Sequence, residues 1–386
     1  MSTNSVDSKY YTKSVHAGMK PDVLSGAVTP PIYQTSTYIQ QSPGVHKGWD
    51  YSRAGNPTRD ALEAGLAEIE GAKYGLSFSS GLAAEQAIMQ VLLLPGDEVL
   101  VCDDVYGGTG RLFRNYFEKF GIKFHFIDMS DPAEVSSKVT SKTKVIWVET
   151  PTNPTLKIID IEKMAEVAKK SQATLVVDNT FASPVFQRPL ELGADVVVHS
   201  TTKYIGGHSD VIGGAAITNN QDLYTLIKRS QFEAGSVPSP MECFLLHRSL
   251  KTLAVRMNQH HQNSVAVADF LSSSPKVKKV YFPGLDSHPN FDVATRQMSG
   301  FSGMVSFDID GNYDDVLKFL SRLEVFVLAE SLGGVESLVN HPEKMTHASV
   351  PEPLRKQLGI GSTMLRLSCG IEATDDLVMD LKQALN

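Results

Sequence analysis

Cysteine is scarce in this sequence. The 386-residue chain has three, Cys102, Cys243 and Cys369, far apart and odd in number. That pattern suits neither a disulfide framework nor a paired zinc site, and it favours a reducing cytoplasm. Long apolar runs are missing as well. Stretches such as 91–94 and 196–198 fall far short of the roughly 20 residues that a membrane helix needs. Residues 1–13 are polar, without the apolar segment of a secretory leader. Positive charge is not in excess: the net charge is −7 and the pI about 5.9, so no basic field points to nucleic acid. Internal repeats and low-complexity tracts are absent too. The expectation is a cytoplasmic protein with no nucleic-acid or membrane partner.

Hydrophobic residues make up 42% of the chain, ample for a buried core, and the length suggests two domains. Residues 1–50 are rich in Ser, Thr, Gly and Pro and show little helical period. Ile32, Tyr33, Tyr38, Trp49 and Tyr51 are nevertheless too aromatic for a solvated tail, which predicts an extended arm packed on something, another subunit being one candidate. From Pro57, at the first turn of a helix, the pattern changes. Strands are expected at 75–79, 98–102, 123–127, 144–149, 174–178, 195–199 and 213–218, with helices such as 82–93, 109–120 and 161–171 between them. Apolar runs that alternate with helices imply a mostly parallel sheet between helices, with its ligand site at the C-terminal strand ends. A long helical pattern covers 240–271. Strand signals then follow at 302–309, 324–328 and 364–368, and helix signals at 313–322 and 374–385. This α/β reading gives an arm (1–50), a large domain (51–245) and a smaller C-terminal α+β domain (246–386).

Chemistry concentrates after the expected strands. His199-Ser200-Thr201-Thr202-Lys203-Tyr204 places an amine and hydroxyls at one strand end. Such a lysine can form a Schiff base beside phosphate-binding neighbours, although alone it reads equally as a surface lysine. Asp178, in Val176-Val177-Asp178-Asn179-Thr180, can pair with a pyridinium nitrogen or simply cap a helix. Ser79-Ser80-Gly81-Leu82 opens a helix whose amides can meet a phosphate, or forms a plain strand–helix turn. Tyr106 can stack on a planar ring and move protons. His199, His208, His260 and His261 lack a coherent metal-ligand spacing and read as structural or surface groups. Arg229 and Arg256 read as helix-face charges, and no EF-hand-type acidic loop is present, so no metal is expected.

Together these features have a familiar order. The chain resembles the γ-family of transsulfuration enzymes, on the aspartate-aminotransferase-like fold (PLP fold type I), over nearly its whole length. The likeness runs from Ser14-Val15-His16-Ala17-Gly18 to Leu365-Arg366-Leu367-Ser368. Between them lie Tyr51-Ser52-Arg53-Ala54-Gly55-Asn56-Pro57-Thr58-Arg59, Pro151-Thr152-Asn153-Pro154, Asp178-Asn179-Thr180-Phe181, Ser200-Thr201-Thr202-Lys203-Tyr204 and Ala329-Glu330-Ser331-Leu332-Gly333-Gly334. The resemblance implies pyridoxal 5′-phosphate (PLP), carried by Lys203, which also serves as the base. It implies Asp178 as the pyridinium partner, with Thr180 beside it, and Tyr106 as the stacking residue and proton donor to the leaving sulfur. Gly81, Leu82, Ser200 and Thr202 would bind the phosphate, joined by Tyr51 and Arg53 from a neighbouring subunit. Asn153, Ser331 and Arg366 would hold the substrate's α-carboxylate, with Arg111 and Glu330 at its distal end.

The resemblance further implies a homotetramer built as a dimer of dimers, and a small amino acid as substrate. The implied reaction is γ-elimination on L-cystathionine, with synthesis of cystathionine from an O-acylhomoserine and cysteine as the alternative. Cleavage of methionine is disfavoured, because Gly107-Gly108-Thr109 stands where that group resembles Gly-Cys-Thr. A non-catalytic PLP binder is disfavoured by the presence of both Lys203 and Asp178. Met345-Thr346-His347-Ala348-Ser349-Val350-Pro351 resembles the lyases more than the synthases.

Overall fold

The computed structural model describes residues 6–348 and 350–386, so Ser349 of the lyase-like segment and the first five residues of the arm lie outside the described residues. Seven strands form the larger sheet: β1 Tyr74–Phe78, β2 Glu98–Cys102, β3 Lys123–Ile127, β4 Thr143–Glu149, β5 Thr174–Asp178, β6 Val196–His199 and β7 Gly214–Thr218. Their spatial order is β1-β7-β6-β5-β4-β2-β3. β7 runs antiparallel to both its neighbours, and every other pair is parallel. The central runs are continuous rather than alternating because helices cover both faces. Val99–Val101 and Val196–Val198 are fully buried in this way.

The connecting helices start and stop where side-chain chemistry allows. Asn56 accepts from the Thr58 amide (2.9 Å) ahead of Pro57, and Gly71, at φ +71°, ends that helix in the left-handed region that a side chain would strain. Helix Ile161–Ser171 is capped by Asp160 on the Lys163 amide at 3.1 Å. A second sheet follows: β8 Val277–Tyr281, β9 Met304–Ile309, β10 Val327–Leu328, β11 Leu338–Asn340 and β12 Met364–Ser368, in the order β10-β11-β12-β9-β8. It is antiparallel except for β10–β11. The boundary expected near 245 falls between the two sheets, inside helix Pro240–Leu250.

Several elements differ from expectation for visible reasons. The pattern over 240–271 is two helices, Pro240–Leu250 and Leu253–Ser273. At the break, the Ser249 carbonyl is taken by the Thr252 hydroxyl (3.2 Å) and by Arg256 Nη2 (3.0 Å). Arg256 is therefore no helix-face charge: it is 4% exposed, and its guanidinium also bonds the Tyr204 and Ile205 carbonyls at 2.6 and 3.3 Å, bracing the turn after Lys203. Arg229 does lie on a helix face, paired with Glu233 at 2.8 Å.

The strand expected over 324–328 shrinks to Val327–Leu328. The Asp380 carboxylate captures the amides of Glu324, Val325 and Phe326 at 2.8–2.9 Å and takes them out of the ladder. The arm contains a helix, Ser8–His16, capped by Asp7 on the Lys9 amide (3.0 Å) and anchored by buried Tyr10 on the Ile69 carbonyl. The rest of the arm is largely exposed, with Val23, Leu24 and Ile39 at 93–101%. No helix among the described residues is long and apolar enough to cross a membrane.

Candidate active site

The C-terminal ends of β1, β2, β4, β5 and β6 deliver side chains to one cleft of about 910 Å³. Gly81 and Leu82 border it after β1, Tyr106 and Arg111 after β2, and Asn153 after β4. Asp178 and Thr180 enter from β5, and Ser200, Thr202 and Lys203 from the turn after β6. Glu330, Ser331 and Arg366 close it from the smaller sheet. Tyr51 and Arg53 do not reach this cleft within their own chain. Tyr51 is 45% exposed, and Arg53 donates to the Phe232 carbonyl at 2.8 Å with its guanidinium over the Phe232 ring.

Helix Gly81–Leu92 points its N-terminus at the cleft. Ser80 caps the Ala83 amide at 3.0 Å, and the Gly81 and Leu82 amides have no carbonyl one turn back to bond. A Cβ at residue 81 would sit 3.0 Å from the Ser200 Cβ, so any larger residue would press Ser200 away by a few tenths of an ångström. Close approach of this turn to Ser200 makes a cradle of amides and a hydroxyl that suits an anion. The Thr202 hydroxyl faces the same side but already bonds the carbonyl and amide of Gly213 at 3.2 and 3.0 Å. Thr180 ties the cradle to the acid: its amide donates to Asp178 Oδ1 and its hydroxyl accepts from the Ser200 amide, both at 2.9 Å.

Burial raises the Asp178 carboxyl above its ordinary range, opposed by the two Thr180 hydrogen bonds and by His199. A cation placed beside it would restore its charge, which is what a protonated ring nitrogen supplies. Lys203 moves the other way. Burial first, and the nearby Arg366 charge second, bring its amine down to about 8 against the weaker pull of Glu330. Its Nζ donates to Ser331 Oγ at 2.7 Å. Arg366 is 1% exposed and donates to Asn153 Oδ1 at 2.8 Å and to the Ser331 carbonyl at 3.0 Å, both neutral oxygens, while its Nε has no partner among the described residues. A buried guanidinium in that state suits a carboxylate. Tyr106 folds back over Gly108, where a Cβ would meet its ring at 2.2 Å.

A family model described as Cys/Met metabolism PLP-dependent enzyme matches residues 11–386. The chain belongs to that family. Its cofactor is PLP, and it is a PLP-dependent lyase or synthase of sulfur amino-acid metabolism. It is 52% identical over 379 residues to a cystathionine γ-lyase of Dictyostelium discoideum, covering 98% of each chain. It is 50% identical over 384 residues to a cystathionine β-lyase of Coxiella burnetii, covering 99% of each. A solved cystathionine γ-synthase of Xanthomonas oryzae pv. oryzae, in complex with aminoacrylate and cysteine, has a TM-score of 0.95 at 43% identity and 97% coverage of both chains. The aspartate-aminotransferase-like fold expected from the motifs is thus the fold found. The motifs favour γ-cleavage, with γ-synthesis as the alternative and methionine cleavage or a non-catalytic binder disfavoured; the relatives include a β-lyase as well.

The residues present fit the PLP group. The amide cradle, the buried acid and the depressed lysine, groups suited to a phosphate, a protonated ring nitrogen and an aldehyde, border one cleft. Other groups were not expected. Glu85 borders the cleft from the first turns of helix Gly81–Leu92 and accepts from the Thr109 hydroxyl at 3.0 Å. Glu149 ends β4 and receives the Tyr106 amide on Oε2 at 2.8 Å. His347 is buried, with Nε2 on the Asn153 carbonyl (3.0 Å) and Nδ1 against the Thr346 hydroxyl (2.9 Å). Their positions become visible only when distant segments meet. The four histidines read as structural or surface groups are bound up in packing: His199 with Glu70, His208 with the Gly206 carbonyl and His260 with the Cys369 carbonyl, while His261 is buried. No group of three or more metal-ligating side chains occurs among the described residues.

Proposed function

We propose that this chain cleaves L-cystathionine by γ-elimination, consuming water and releasing cysteine, 2-oxobutanoate and ammonia. The observation that supports cystathionine as the amino acid bound is the pairing of charges around the cleft. Arg366 offers a buried seat for one carboxylate, and Glu330 and Arg111, of opposite sign, border the same space. Cystathionine carries an ammonium and a carboxylate at each end, so both ends find complementary charge. The lyase-like segment from Met345 supports the direction, since Met345 and Thr346 line the cleft beside Glu330.

Bound PLP supplies an electron sink for negative charge at the substrate's carbons. The protein supplies the rest. Gly81, Leu82 and Ser200 hold the phosphate, with Thr202 alongside. Asp178 keeps the ring nitrogen protonated, and Tyr106 covers the ring. Arg366, Asn153 and Ser331 fix the α-carboxylate. Lys203, whose amine burial and Arg366 hold below the ordinary lysine range, would take the proton from Cα, hand it on to the carbon at which the cofactor joins the substrate and, neutral again, take the proton from Cβ. The Tyr106 hydroxyl gives a proton to the departing sulfur.

The experiment compares kcat/KM for L-cystathionine with that for an O-acylhomoserine plus cysteine, and identifies the products. Cysteine with 2-oxobutanoate is expected. Homocysteine with pyruvate would mean β-cleavage, and faster cystathionine formation would mean a synthase.

We also place Tyr51 and Arg53 in a neighbour's phosphate site, within a homotetramer built as a dimer of dimers. The exposed apolar arm and the distance of both residues from their own cleft support this arrangement. Diluted monomers are expected to lose PLP. A fully active, PLP-replete monomer in sedimentation would contradict it.

A further inference from the structure

The loop that carries Asn153 runs from Thr150, just past β4, to Asp160, ahead of helix Ile161–Ser171, with no helix or strand between. Its middle is held by Asp104, which accepts from the Thr152 hydroxyl at 2.6 Å and from the Thr155 amide at 3.1 Å. Its two ends are held by a pair of buried glutamines from outside the loop. Gln187 (1% exposed) follows the short helix Ser183–Phe186 and donates from Nε2 to the Thr150 carbonyl at 2.8 Å. Gln297 (8%) ends helix Phe291–Gln297 and donates from Nε2 to the Ile159 carbonyl at 3.0 Å.

The two amides also bond each other, from Gln297 Nε2 to Gln187 Oε1 at 3.0 Å. Gln187 Nε2 gives its second hydrogen to Asn179 Oδ1 at 2.9 Å, and Gln297 Oε1 accepts from the Ile161 amide at 3.2 Å. Every side-chain hydrogen of the pair has an acceptor, so each amide can face only one way. Turned over, the Gln187 oxygen would meet the oxygens of Thr150 and Asn179. The Asn179 end is the anchored one. Asn179 follows Asp178, is fully buried, and its own amide donates to the Gln187 carbonyl at 2.8 Å and to Glu70 Oε1 at 3.3 Å. Gln297 comes from the C-terminal part of the chain, which is seated beside Gln187 by the Ser299 amide on the Phe186 carbonyl at 2.9 Å.

Buried amides that satisfy backbone carbonyls ordinarily serve stability alone. This pair differs in what it holds. The loop whose ends it closes presents Asn153, which accepts from Arg366 Nη1 at 2.8 Å, and the residue it is braced against adjoins Asp178. We propose that Gln187 and Gln297 form a clamp that fixes the Asn153 loop against the end of β5, and so sets the seat of the substrate's α-carboxylate relative to the cofactor ring. Both are positioning residues that act through Asn153 and Arg366. The inference rests on the assignment of those two residues to the α-carboxylate.

The test is a double-mutant cycle on holoenzyme, read as kcat and KM for L-cystathionine, or for an O-acylhomoserine with cysteine should that pair react faster. Gln187→Met keeps the length of the side chain and removes both donated hydrogens. It is expected to lower kcat/KM roughly tenfold, the scale of one hydrogen bond, mainly through KM, with PLP content and the visible cofactor band unchanged. In an Asn153→Ala background the same change is expected to cost less than about twofold, because the group it positions is gone. Gln297→Met is expected to behave alike in both backgrounds, and it decides the matter if Gln187→Met yields no folded holoenzyme. Equal losses with and without the Asn153 side chain, or a wild-type kcat/KM in the folded glutamine variants, would reduce the pair to a stabilising contact and overturn the proposal. Loss of PLP from these variants would mean that the clamp serves the cofactor instead, and would overturn it as well. Asn153→Ala alone separates the two ideas. If it leaves KM unchanged, the carboxylate assignment falls and the clamp with it; if it raises KM while the glutamine variants add to it in full, the clamp alone falls.

Discussion

Along the wall of the cleft formed by β1, β2, β5 and β6, each chemical group stands within a few residues of the C-terminal end of its strand. Along the opposite wall, Arg366 sits in the middle of β12, paired with Asn340 and Ser306 of the flanking strands, and reaches across 213 residues of sequence to Asn153. The first wall is a set of local turns whose geometry follows from the strand before each one. The second exists only once the smaller sheet has docked on the larger. The cofactor wall should therefore tolerate small shifts between the sheets, and the substrate wall should not.

Removing the guanidinium sharpens this contrast most. Arg366→Ala is expected to lower kcat/KM by roughly 30- to 1000-fold, the equivalent of about 2–4 kcal/mol for one partner of a buried charge pair. PLP content and its absorbance should stay normal. Loss of PLP in this variant would show that the walls are not independent. Asp178→Asn acts on the other wall. A hydrogen bond to a charged group is worth roughly 1.5–3 kcal/mol, so kcat should fall about 10- to 150-fold with little change in KM. An unchanged kcat would remove Asp178 from the ring nitrogen.

His347 joins the walls, because it staples the segment around Met345 to the Asn153 loop. Burial, with Arg366 next, lowers its ring from the ordinary 6.5 to about 4. Its folded value lies below its unfolded value, so its contribution to stability is complete above pH 6.5 and is lost as pH falls towards 4. Buried carboxyls titrate in the same range, so the informative quantity is the difference between wild type and His347→Gln in denaturant melts. That difference should favour wild type less at pH 4.5 than at pH 7. A difference independent of pH would mean that the ring is not held neutral in the fold.

The contrast between the walls also explains what the sequence disclosed. The strand over 174–178 and the helices over 161–171 and 313–322 match the structure to the residue, because burial, caps and apolar period agree locally. Lys203, Asp178 and Gly81 carried a local mark, because Asp178 ends a strand and the other two follow one closely. Arg366 and Ser331 carried no such local mark, and resemblance alone picked them out. Arg256 was misread because the apolar period runs on through the break at Thr252, and its true partners are carbonyls near residue 205. Glu85 was missed because an acid early in a helix ordinarily serves the helix dipole, and its neighbour Thr109 lies 24 residues on.

The central claim is that Lys203 carries the cofactor, poised by burial and by Arg366. It is tested most directly by reducing the holoenzyme with borohydride, digesting it and mapping the PLP-labelled peptide by mass spectrometry. The label is expected on Lys203, in the peptide that contains Ser200-Thr201-Thr202-Lys203-Tyr204. Lys203→Ala should give no labelled peptide and no turnover. A label on another lysine, or turnover that survives in Lys203→Ala, would contradict the account.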